Sequence, residues 1–303
     1  MKRDFLTIDS ISASDLDRLL DRASTLKKER STSRALAGKS VGMIFEKPST
    51  RTRVSFEVGI VELGGSAIVL NASELQLGRG ETIEDTARVL SRYLHAIVVR
   101  TFEQDRLERL AASASVPVIN ALSDHEHPCQ ALADLLTTRE HLGSLEGKKL
   151  TYVGDGNNVA HSLMLGCALA GMHVAIATPA GYEPIAQVAK RADEIAHDSG
   201  GSVLVTTDPH EAVRGAHAVY TDVWASMGRE REAQERALIF APYQLNQRLL
   251  GHAEPGAIVL HCLPAHRGEE ITDEVIEGPR SVVWDQAENR LHTQKALMEW
   301  VIA

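Results

Sequence analysis

Cysteine and aromatic residues are scarce in this 303-residue chain, and long apolar runs are missing. The three cysteines, Cys129, Cys167 and Cys262, are odd in number and widely spaced, which argues against the disulfide framework of a small secreted domain. No apolar run approaches the roughly 18 to 20 residues that would span a bilayer. Residues 1–5 lead into mixed polar sequence rather than into a signal-peptide core. We therefore expect a cytoplasmic protein without membrane contact, although an organellar import peptide could have preceded this sequence.

An excess of positive charge is lacking as well. Lysine and arginine number 32 against 41 aspartate and glutamate residues, which gives a net charge of −9. Nucleic-acid binders usually present a basic face, so this balance argues against that class. A content of 44% hydrophobic and 24% charged residues is that of an ordinary globular protein. Against an acidic background, arginines gathered in one short loop indicate a site for an anion.

The pattern that recurs along the chain is a short apolar run followed by a helical period. The runs are continuous rather than alternating, as expected for strands buried on both faces of a parallel sheet. Alternation of strands and helices predicts an α/β fold with right-handed crossovers. The predicted strands are Ser40–Phe45, Ala67–Leu70, Ala96–Arg100, Pro117–Asn120, Lys149–Val153, His173–Ala177, Ser202–Val205, Ala218–Thr221, Ala257–His261 and Ser281–Trp284.

Apolar spacing predicts the helices between these runs. Within residues 49–63, Val54, Val58 and Val61 recur at i, i+4 and i+7, which predicts the buried face of one helix. Thr82 is the predicted N-cap of the following helix, which is expected to extend to residue 94.

The length of the chain suits two domains. A long helical pattern, Cys129–Leu142, ends before Gly143 and is followed by a polar stretch. We predict domains at residues 1–143 and 144–285, joined by long helices, with residues 286–303 packing back on the first domain. Each domain is predicted to contain a doubly wound parallel sheet, with the active site in the interdomain cleft.

The first candidate site is the string Phe45-Glu46-Lys47-Pro48-Ser49-Thr50-Arg51-Thr52-Arg53, where a predicted strand ends and a helix begins. A helix N-terminus offers N–H groups and a partial positive charge, which suit a phosphate. Ser49, Thr50 and Thr52 add hydroxyl donors, and two arginines add planar cationic groups. The alternative is a capped, solvated helix start with surface arginines. The repeated hydroxyl and arginine residues favour an oxyanion site.

Two further strand ends carry cationic or donor groups. Arg100 ends one run, and His127-Pro128-Cys129-Gln130 follows the next strand at the start of the long helix. Ligands of open α/β sheets bind beyond the carboxyl ends of the strands. His127 and Gln130 lie three residues apart on a helix, so both can reach one ligand. Taken alone, Arg100 could be a snorkelling edge residue and His127 a structural histidine.

The second half of the chain repeats this arrangement with other chemistry. Gly154-Asp155-Gly156-Asn157-Asn158, Asp222-Val223-Trp224-Ala225-Ser226-Met227-Gly228 and His261-Cys262-Leu263-Pro264 each follow a predicted strand. A carboxylate, amides and a thiol at one sheet edge suit an amino-acid ligand with a free ammonium group. Alternatively, the polar residues of each loop could serve only to form a turn that connects core elements.

Several familiar motifs fail on inspection. Gly38-Lys39-Ser40 lacks the earlier glycine of a phosphate-binding P-loop, because residue 33 is serine. Gly154-Asp155-Gly156 lacks the third glycine of a dinucleotide fingerprint. The stretch His125–Cys129 lacks the second cysteine of a zinc deaminase. His261, Cys262 and His266 have no fourth zinc ligand at a sensible spacing, so no metal site is predicted.

Taken together, these strings resemble the aspartate/ornithine carbamoyltransferase family over nearly the whole chain. Ser49-Thr50-Arg51-Thr52-Arg53 resembles its phosphate-binding motif, and His127-Pro128-Cys129-Gln130 its carbamoyl-binding motif. Gln76 stands at a ligand-binding position before the family-like loop of residues 77–82. Asp222 with Ser226-Met227-Gly228, and His261-Cys262-Leu263-Pro264, resemble the ornithine-using branch, since the aspartate branch would carry proline in place of Cys262.

The resemblance implies a set of site residues. The residues expected to bind carbamoyl phosphate are Ser49, Thr50, Arg51, Thr52, Gln76, Arg100, His127, Pro128, Cys129, Gln130, Cys262, Leu263 and Arg290. The residues expected to bind ornithine are Asn158, Asp222, Ser226, Met227 and Cys262. The residues expected to act in catalysis are Arg51, Thr52, Arg100, His127 and Cys262.

The resemblance also implies transfer of a carbamoyl group to an amine, as a step of arginine biosynthesis, without a metal or organic cofactor. A homotrimer, or a higher assembly of trimers, is expected, with the loop of Gln76 reaching a neighbouring subunit. Two alternatives stay open. One is a carbamoyltransferase for putrescine, N-acetylornithine or aspartate, and the other is a non-catalytic amino-acid or phosphate binding module.

Overall fold

A computed structural model describes residues 2–30, 33–71, 80–225 and 233–302. The predicted ligand-binding residues Gln76, Ser226 and Met227 lie outside these ranges. Within the ranges, none of the helices has the length and apolar character that crossing a membrane would require.

The described residues form two wholly parallel sheets, which confirms the α/β prediction. The first sheet has the strand order β2-β1-β3-β4, and the second has the order β7-β6-β5-β8-β9. The strands are β1 Ser40–Phe45, β2 Ser66–Asn71, β3 Ala96–Arg100, β4 Val118–Leu122, β5 Lys149–Val153, β6 His173–Ala177, β7 Ser202–Thr206, β8 Ala218–Thr221 and β9 Ile258–His261.

Helices connect these strands and complete each crossover. They are α1 Ala13–Lys28, α2 Thr50–Glu62, α3 Ile83–Leu90, α4 Gln104–Ser113, α5 Pro128–Leu142, α6 Asn158–Leu169, α7 Ala186–Ser199, α8 Pro209–Val213, α9 Ala233–Phe240, α10 Gln247–Leu250, α11 Asp273–Ile276 and α12 Val283–Ile302. The predicted cap at Thr82 is confirmed, because its hydroxyl accepts a hydrogen bond from the Asp85 N–H at 3.1 Å. The helix it begins ends four residues before the predicted end at residue 94.

The chain divides into two compact units. The first contains the residues up to Ala133 and those from Glu288 onward, and the second is Asp134–Ala287. Both divisions fall inside long helices, α5 and α12. The predicted limit at 143/144 coincides instead with the end of α5, where Gly143 adopts a left-handed φ of 79°. A glycine marks where a helix ends, but it does not mark where the packing partners of that helix change.

One predicted strand is wrong. Ser281–Trp284 forms a single parallel bridge between Ser281 and Val259, and α12 already begins at Val283. The two flanking hydrogen bonds involve Val259 and the backbone of residues 280 and 282, at 2.8 and 3.0 Å. A short β-branched run therefore marks the approach to a helix here, and Trp284 is 58% exposed.

The predicted buried face of α2 is also wrong. Val54 and Val61 are 51% and 63% exposed, whereas Phe56, Gly59 and Ile60 are fully buried. This helix has two apolar stripes, and the stripe with the aromatic ring and the glycine is the one that packs. A Cβ at Gly59 would lie 3.2 Å from the side chain of Lys295, so glycine permits the close approach of α12.

The later turns of α12 are tied to α1 and α2 within the first unit. The ammonium of Lys295 is fully buried and donates to Glu62 at 2.7 Å. Arg30 donates to the other oxygen of Glu62 at 2.6 Å, and Arg22 pairs with Glu299 through two bonds of 2.6 and 3.0 Å. Burial alone would raise the pKa of Glu62, but the bonds from Lys295 and Arg30 outweigh burial and lower it. This carboxylate therefore keeps its charge beside the buried ammonium.

Candidate functional site

The loops that follow β1, β3 and β4 meet at one edge of the first sheet, because these parallel strands are neighbours. Ser49 is the N-cap of α2, yet its hydroxyl makes no capping hydrogen bond. No acidic side chain lies in the first turn of α2 to neutralise its positive end. Arg51 is half-buried on that turn, and Thr52 is almost fully buried. The turn therefore directs N–H groups, hydroxyls and a guanidinium to one place.

Arg290 connects this turn to the long helix. Its guanidinium donates to the Thr52 hydroxyl at 2.7 Å and to Oε1 of Gln130 at 2.8 Å. All three side chains are at most 3% exposed. Helices α2, α5 and α12 are thus held together by one planar group with two directed bonds. Three of the predicted carbamoyl-phosphate residues are neighbours in the first unit.

His127 is a neutral imidazole in a cationic setting. Its side chain is nearly buried, and Arg100 beside it is 8% exposed. Burial, followed by the positive charges of Arg290, Arg100 and Arg51, holds the pKa of His127 well below its usual 6.5. A neutral imidazole keeps one N–H donor and one acceptor nitrogen. His127 is therefore a directed hydrogen-bond group rather than a further cation.

Cys129 has a different character from its neighbours in the motif. Its side chain is fully buried, and the thiol donates to the backbone carbonyl of Asn120 at 3.2 Å. Burial raises the pKa of Cys129 to about 12. Its thiol thus stays protonated and packs against β4, so any contact of this residue with a ligand is through the backbone. Pro128 opens α5, where its missing N–H costs the helix nothing.

Two residues of the string Phe45–Arg53, Glu46 and Lys47, support the structure of the site, a role that the sequence did not predict. The nearly buried ammonium of Lys47 pairs with Asp124 and lies 4.1 Å from the centroid of the Phe102 ring. Glu46 accepts a hydrogen bond from Arg106 at 2.7 Å and another from the Thr101 hydroxyl. The loop after β1 is thereby fixed to the loops after β3 and β4. Both residues are in the quoted string, but their partners are distant in the sequence.

In the second unit, Asp222 and Cys262 meet at the carboxyl ends of β8 and β9. The Cys262 thiol donates to Oδ1 of Asp222 at 2.9 Å. Asp222 is 6% exposed, and Cys262 is half-buried. Burial, together with the nearby Asp222 carboxylate, raises the pKa of Cys262 well above its ordinary value. The pair is therefore a carboxylate and a protonated thiol.

Asn157, which was predicted only as part of the loop after β5 and without a role of its own, is a third member of this group. Its side-chain amide donates to Oδ2 of Asp222 at 3.3 Å. Its carbonyl oxygen caps α6 by accepting from the N–H groups of Val159 and Ala160 at 2.9 and 3.2 Å. The predicted ligand, Asn158, is the half-buried first residue of α6. Asn157 thus orients the Asp222 carboxylate, and Asn158 lies next to it at the start of α6.

Buried polar groups fix the backbone on both sides of Cys262. His261 accepts from the Leu263 N–H at 2.9 Å through Nδ1, so its Nε2 carries the proton towards Glu270 at 3.1 Å. Both side chains are fully buried. Gln286 accepts from the His261 N–H at 2.8 Å and donates to Asp134 at 2.7 Å. These bonds support Leu263 in a left-handed conformation, φ 58°, which glycine adopts freely and other residues adopt only rarely.

Two groups of side chains bring possible metal-ligand atoms within 4.8 Å of one another in the described residues: Asp222, His261 and Cys262, and His266, Glu269 and Glu270. In the first group, both ring nitrogens of His261 and the thiol of Cys262 already take part in hydrogen bonds. A cation there would have to displace these bonds.

The two halves of the chain match two family models. Residues 3–140 match the model described as aspartate/ornithine carbamoyltransferase, carbamoyl-P binding domain, and residues 146–301 match its Asp/Orn binding domain. The chain belongs to the aspartate/ornithine carbamoyltransferase family. The second model extends through α12, although the later turns of this helix are part of the first compact unit. Arg290 of this carbamoyltransferase family member thus lies in the first unit, although the second family model matches it.

Relatives within the family are similar over nearly their whole length. The protein named ornithine carbamoyltransferase from Parafrankia sp. (strain EAN1pec) is 59% identical over 304 residues, which cover 99% of this chain and 96% of the relative. The solved ornithine carbamoyltransferase from Pyrococcus furiosus has a TM-score of 0.96 and 55% identity, covering 99% of this chain and 97% of that one. The anabolic ornithine carbamoyltransferase from Campylobacter jejuni has a TM-score of 0.94 and 37% identity, with 99% of each chain covered.

The state of His127 predicts a specific pH dependence of stability. Because its folded-state pKa lies below 6.5, the unfolded chain takes up a proton here as pH falls through 6.5 and the folded chain does not. This contribution to the free energy of unfolding is present above pH 6.5 and is lost below it. His127→Asn should therefore make the free energy of unfolding less dependent on pH between about pH 7.5 and 5.5, as measured by urea denaturation.

The matched control is His197→Asn, which replaces an exposed histidine on α7. It should leave the pH slope of the wild-type chain unchanged. A His127→Asn slope equal to that of the wild type would show that His127 is not held neutral.

Proposed function

We propose that this chain is an ornithine carbamoyltransferase, which transfers the carbamoyl group of carbamoyl phosphate to the side-chain amine of L-ornithine and yields L-citrulline and phosphate. The observation that carries this proposal is the Arg290 guanidinium between Thr52 and Gln130, beside a neutral His127. The Asp222 and Cys262 pair in the second unit supports an amino-acid acceptor. Transfer requires donor and acceptor to meet, and the interdomain location of the active site stays a prediction.

The first unit suits carbamoyl phosphate. The phosphate binds at residues 49–52, where N–H groups and hydroxyls at the start of α2 are joined by Arg51, and Arg100 adds a second guanidinium. The Thr52 oxygen accepts from Arg290, so its hydroxyl hydrogen points elsewhere and can donate to the carbamoyl oxygen. Oε1 of Gln130 accepts from Arg290, and this side chain contacts the carbamoyl amide.

The chemical step is favoured by these fixed donors. Attack of the amine forms a C–N bond and places negative charge on the carbamoyl oxygen, which Thr52, Arg100 and His127 stabilise as donors. The C–O bond to phosphate then breaks, and the amine proton leaves with the phosphate. Phosphate departs as a stabilised anion, so the reaction requires no cofactor. Each donor is nearly buried and already oriented, which reduces the reorganisation needed as charge develops.

The second unit suits the acceptor. Asp222 receives bonds from Cys262, Asn157 and its following backbone N–H, and its carboxylate pairs with the α-ammonium of ornithine. Asn158, with Ser226 and Met227, binds the α-carboxylate. The side-chain amine, whose ordinary pKa is near 10, must be neutral to attack, and removal from water lowers its pKa. Cys262 lies beside it as a neutral thiol, which adds no charge that would hold the proton.

We place the enzyme in the cytoplasm and in arginine biosynthesis. Its three cysteines form no disulfide, which suits a reducing compartment. The biosynthetic direction is supported by the similarity to the anabolic enzyme from Campylobacter jejuni.

The direct test is citrulline formation from carbamoyl phosphate and ornithine, compared with product formation from aspartate, putrescine and N-acetylornithine. We expect turnover with ornithine.

Arg290→Lys should lower kcat by about 100-fold or more, because an ammonium cannot bridge Thr52 and Gln130 with two directed bonds. The matched control Arg53→Lys changes an exposed arginine that pairs with Glu57, and its kcat should stay near that of the wild type.

Failure to form citrulline would contradict the proposed function. Preference for another amine would reassign the acceptor, and binding without turnover would indicate a non-catalytic module. An Arg290→Lys variant with unchanged kcat would contradict the proposed role of the guanidinium.

We further propose that copies of this chain form a homotrimer through the first unit. The support is exposed apolar surface in that unit. It includes Val54 and Val61 on one face of α2, and Ile68 on β2 at the edge of its sheet.

A mass three times the chain mass of 33.0 kDa is expected in light scattering. Val61→Asp should shift the protein towards the monomer. Leu238→Asp, which changes an 82% exposed leucine in the second unit, should not. A monomeric wild type would contradict this assembly.

A further inference from the structure

A buried guanidinium lies in the second unit among groups that the reaction does not use. Arg236 on α9 is 2% exposed. Its Nη1 donates to Oδ2 of Asp155 at 2.8 Å and to the backbone carbonyl of Trp224 at 2.7 Å. The guanidinium carbon lies 4.9 Å from the ring centroid of Tyr182 and 5.7 Å from that of Phe240. This group therefore combines an ion pair, a carbonyl contact and two aromatic faces around one cation.

We propose that Arg236 is a positioning residue that fixes the Asp222 carboxylate and thereby sets the affinity for the amino-acid acceptor; this inference rests on the proposed function. Arg236 acts through the two segments that flank the carboxylate.

The first segment is the loop after β5. Asp155, which is 7% exposed, pairs with Arg236, and the backbone carbonyl of Asp155 accepts from the Asn157 N–H at 2.7 Å. Asn157 in turn donates through its side chain to Asp222 at 3.3 Å. The ion pair therefore holds the loop from which Asn157 reaches the carboxylate.

The same loop is fixed on its other side by backbone packing. The Gly156 N–H donates to the Tyr182 carbonyl at 2.9 Å. A Cβ at Gly156 would lie only 2.3 Å from the nitrogen of Pro184, so the two backbones are in direct contact. Tyr182 also presents its ring to Arg236. A shift of the guanidinium would be transmitted to both sides of this loop.

The second segment begins at Asp222 itself. Trp224, two residues further on, is buried, and its carbonyl oxygen is held by Arg236. Its ring stacks on Phe240, with centroids 6.1 Å apart and planes 28° apart. The backbone immediately after the carboxylate is therefore tied to the same cation. Asp222 is fixed from two directions, by Asn157 and by its own chain.

The energetics of this arrangement decide how it should be tested. Removing only the guanidinium would take its cationic partner from the nearly buried Asp155 carboxylate, which is strongly destabilising. The informative variant is therefore Arg236→Met combined with Asp155→Asn, which removes both charges and keeps similar volumes. Arg236→Lys is the conservative partner, because it keeps the positive charge beside Asp155 but not the planar group between the two rings.

The experiment measures KM for both substrates in steady-state citrulline formation. For the double variant we expect KM for ornithine to rise about tenfold or more, because the carboxylate loses its fixed position. KM for carbamoyl phosphate should stay within about twofold, since the donor groups are in the other unit. For Arg236→Lys we expect a KM for ornithine between that of the wild type and that of the double variant. Circular dichroism at the assay temperature checks that each variant is folded.

The matched control removes a comparable buried ion pair from the first unit. Lys295→Met with Glu62→Gln eliminates a fully buried ammonium and its carboxylate partner, and should leave KM for ornithine unchanged. Equal changes in both KM values of the Arg236 double variant, or no change in KM for ornithine, would overturn the positioning role while citrulline formation by the wild type stands. A wild type that forms no citrulline would overturn the proposed function and this inference with it.

Discussion

The Arg290 guanidinium holds together three segments that lie far apart in the sequence. Its two bonds, to Thr52 and to Gln130, fix the start of α2 and the start of α5 relative to α12. Without it, a nearly buried hydroxyl and a nearly buried amide would each lose one directed bond, and with it part of the orientation that a developing oxyanion requires. The remaining donors of the first unit, Arg100 and His127, are placed at the same edge because they follow neighbouring strands of one sheet.

The two units use burial in opposite electrostatic settings. In the first, burial and then the nearby guanidinium groups lower the pKa of His127, so the imidazole stays neutral, and the proposed ligand is a doubly charged anion. In the second, burial and then the Asp222 carboxylate raise the pKa of Cys262, so its thiol stays protonated, and the proposed complementary group is a cationic amine. The proposed anion site and the proposed cation site thus lie at the carboxyl ends of the strands of two parallel sheets, and they differ in the side chains that follow those strands.

The sequence was a good guide to everything that depends on local pattern. Continuous apolar runs identified most of the strands, and polar strings after those runs identified both sheet edges. It was a poor guide to pairing between distant segments. Arg236 and Asn157 have partners that no spacing rule connects, so Arg236 was not predicted and Asn157 was predicted only as part of a loop. Where a pattern had two solutions, as with the two apolar stripes of α2, the packing of Gly59 against α12 decided the outcome. Cys129 shares a motif with ligand-binding residues, yet its burial is visible only in three dimensions.

The most direct measurement is a crystal structure of this protein with a non-hydrolysable phosphonate analogue of carbamoyl phosphate. We expect the phosphonate at residues 49–52 with Arg51, and the analogue's carbonyl oxygen within hydrogen-bond distance of Thr52, Arg100 and His127, with the Arg290 bonds to Thr52 and Gln130 intact. An analogue bound away from residues 49–52, or a guanidinium of Arg290 that leaves Thr52 and Gln130 when the analogue binds, would contradict it.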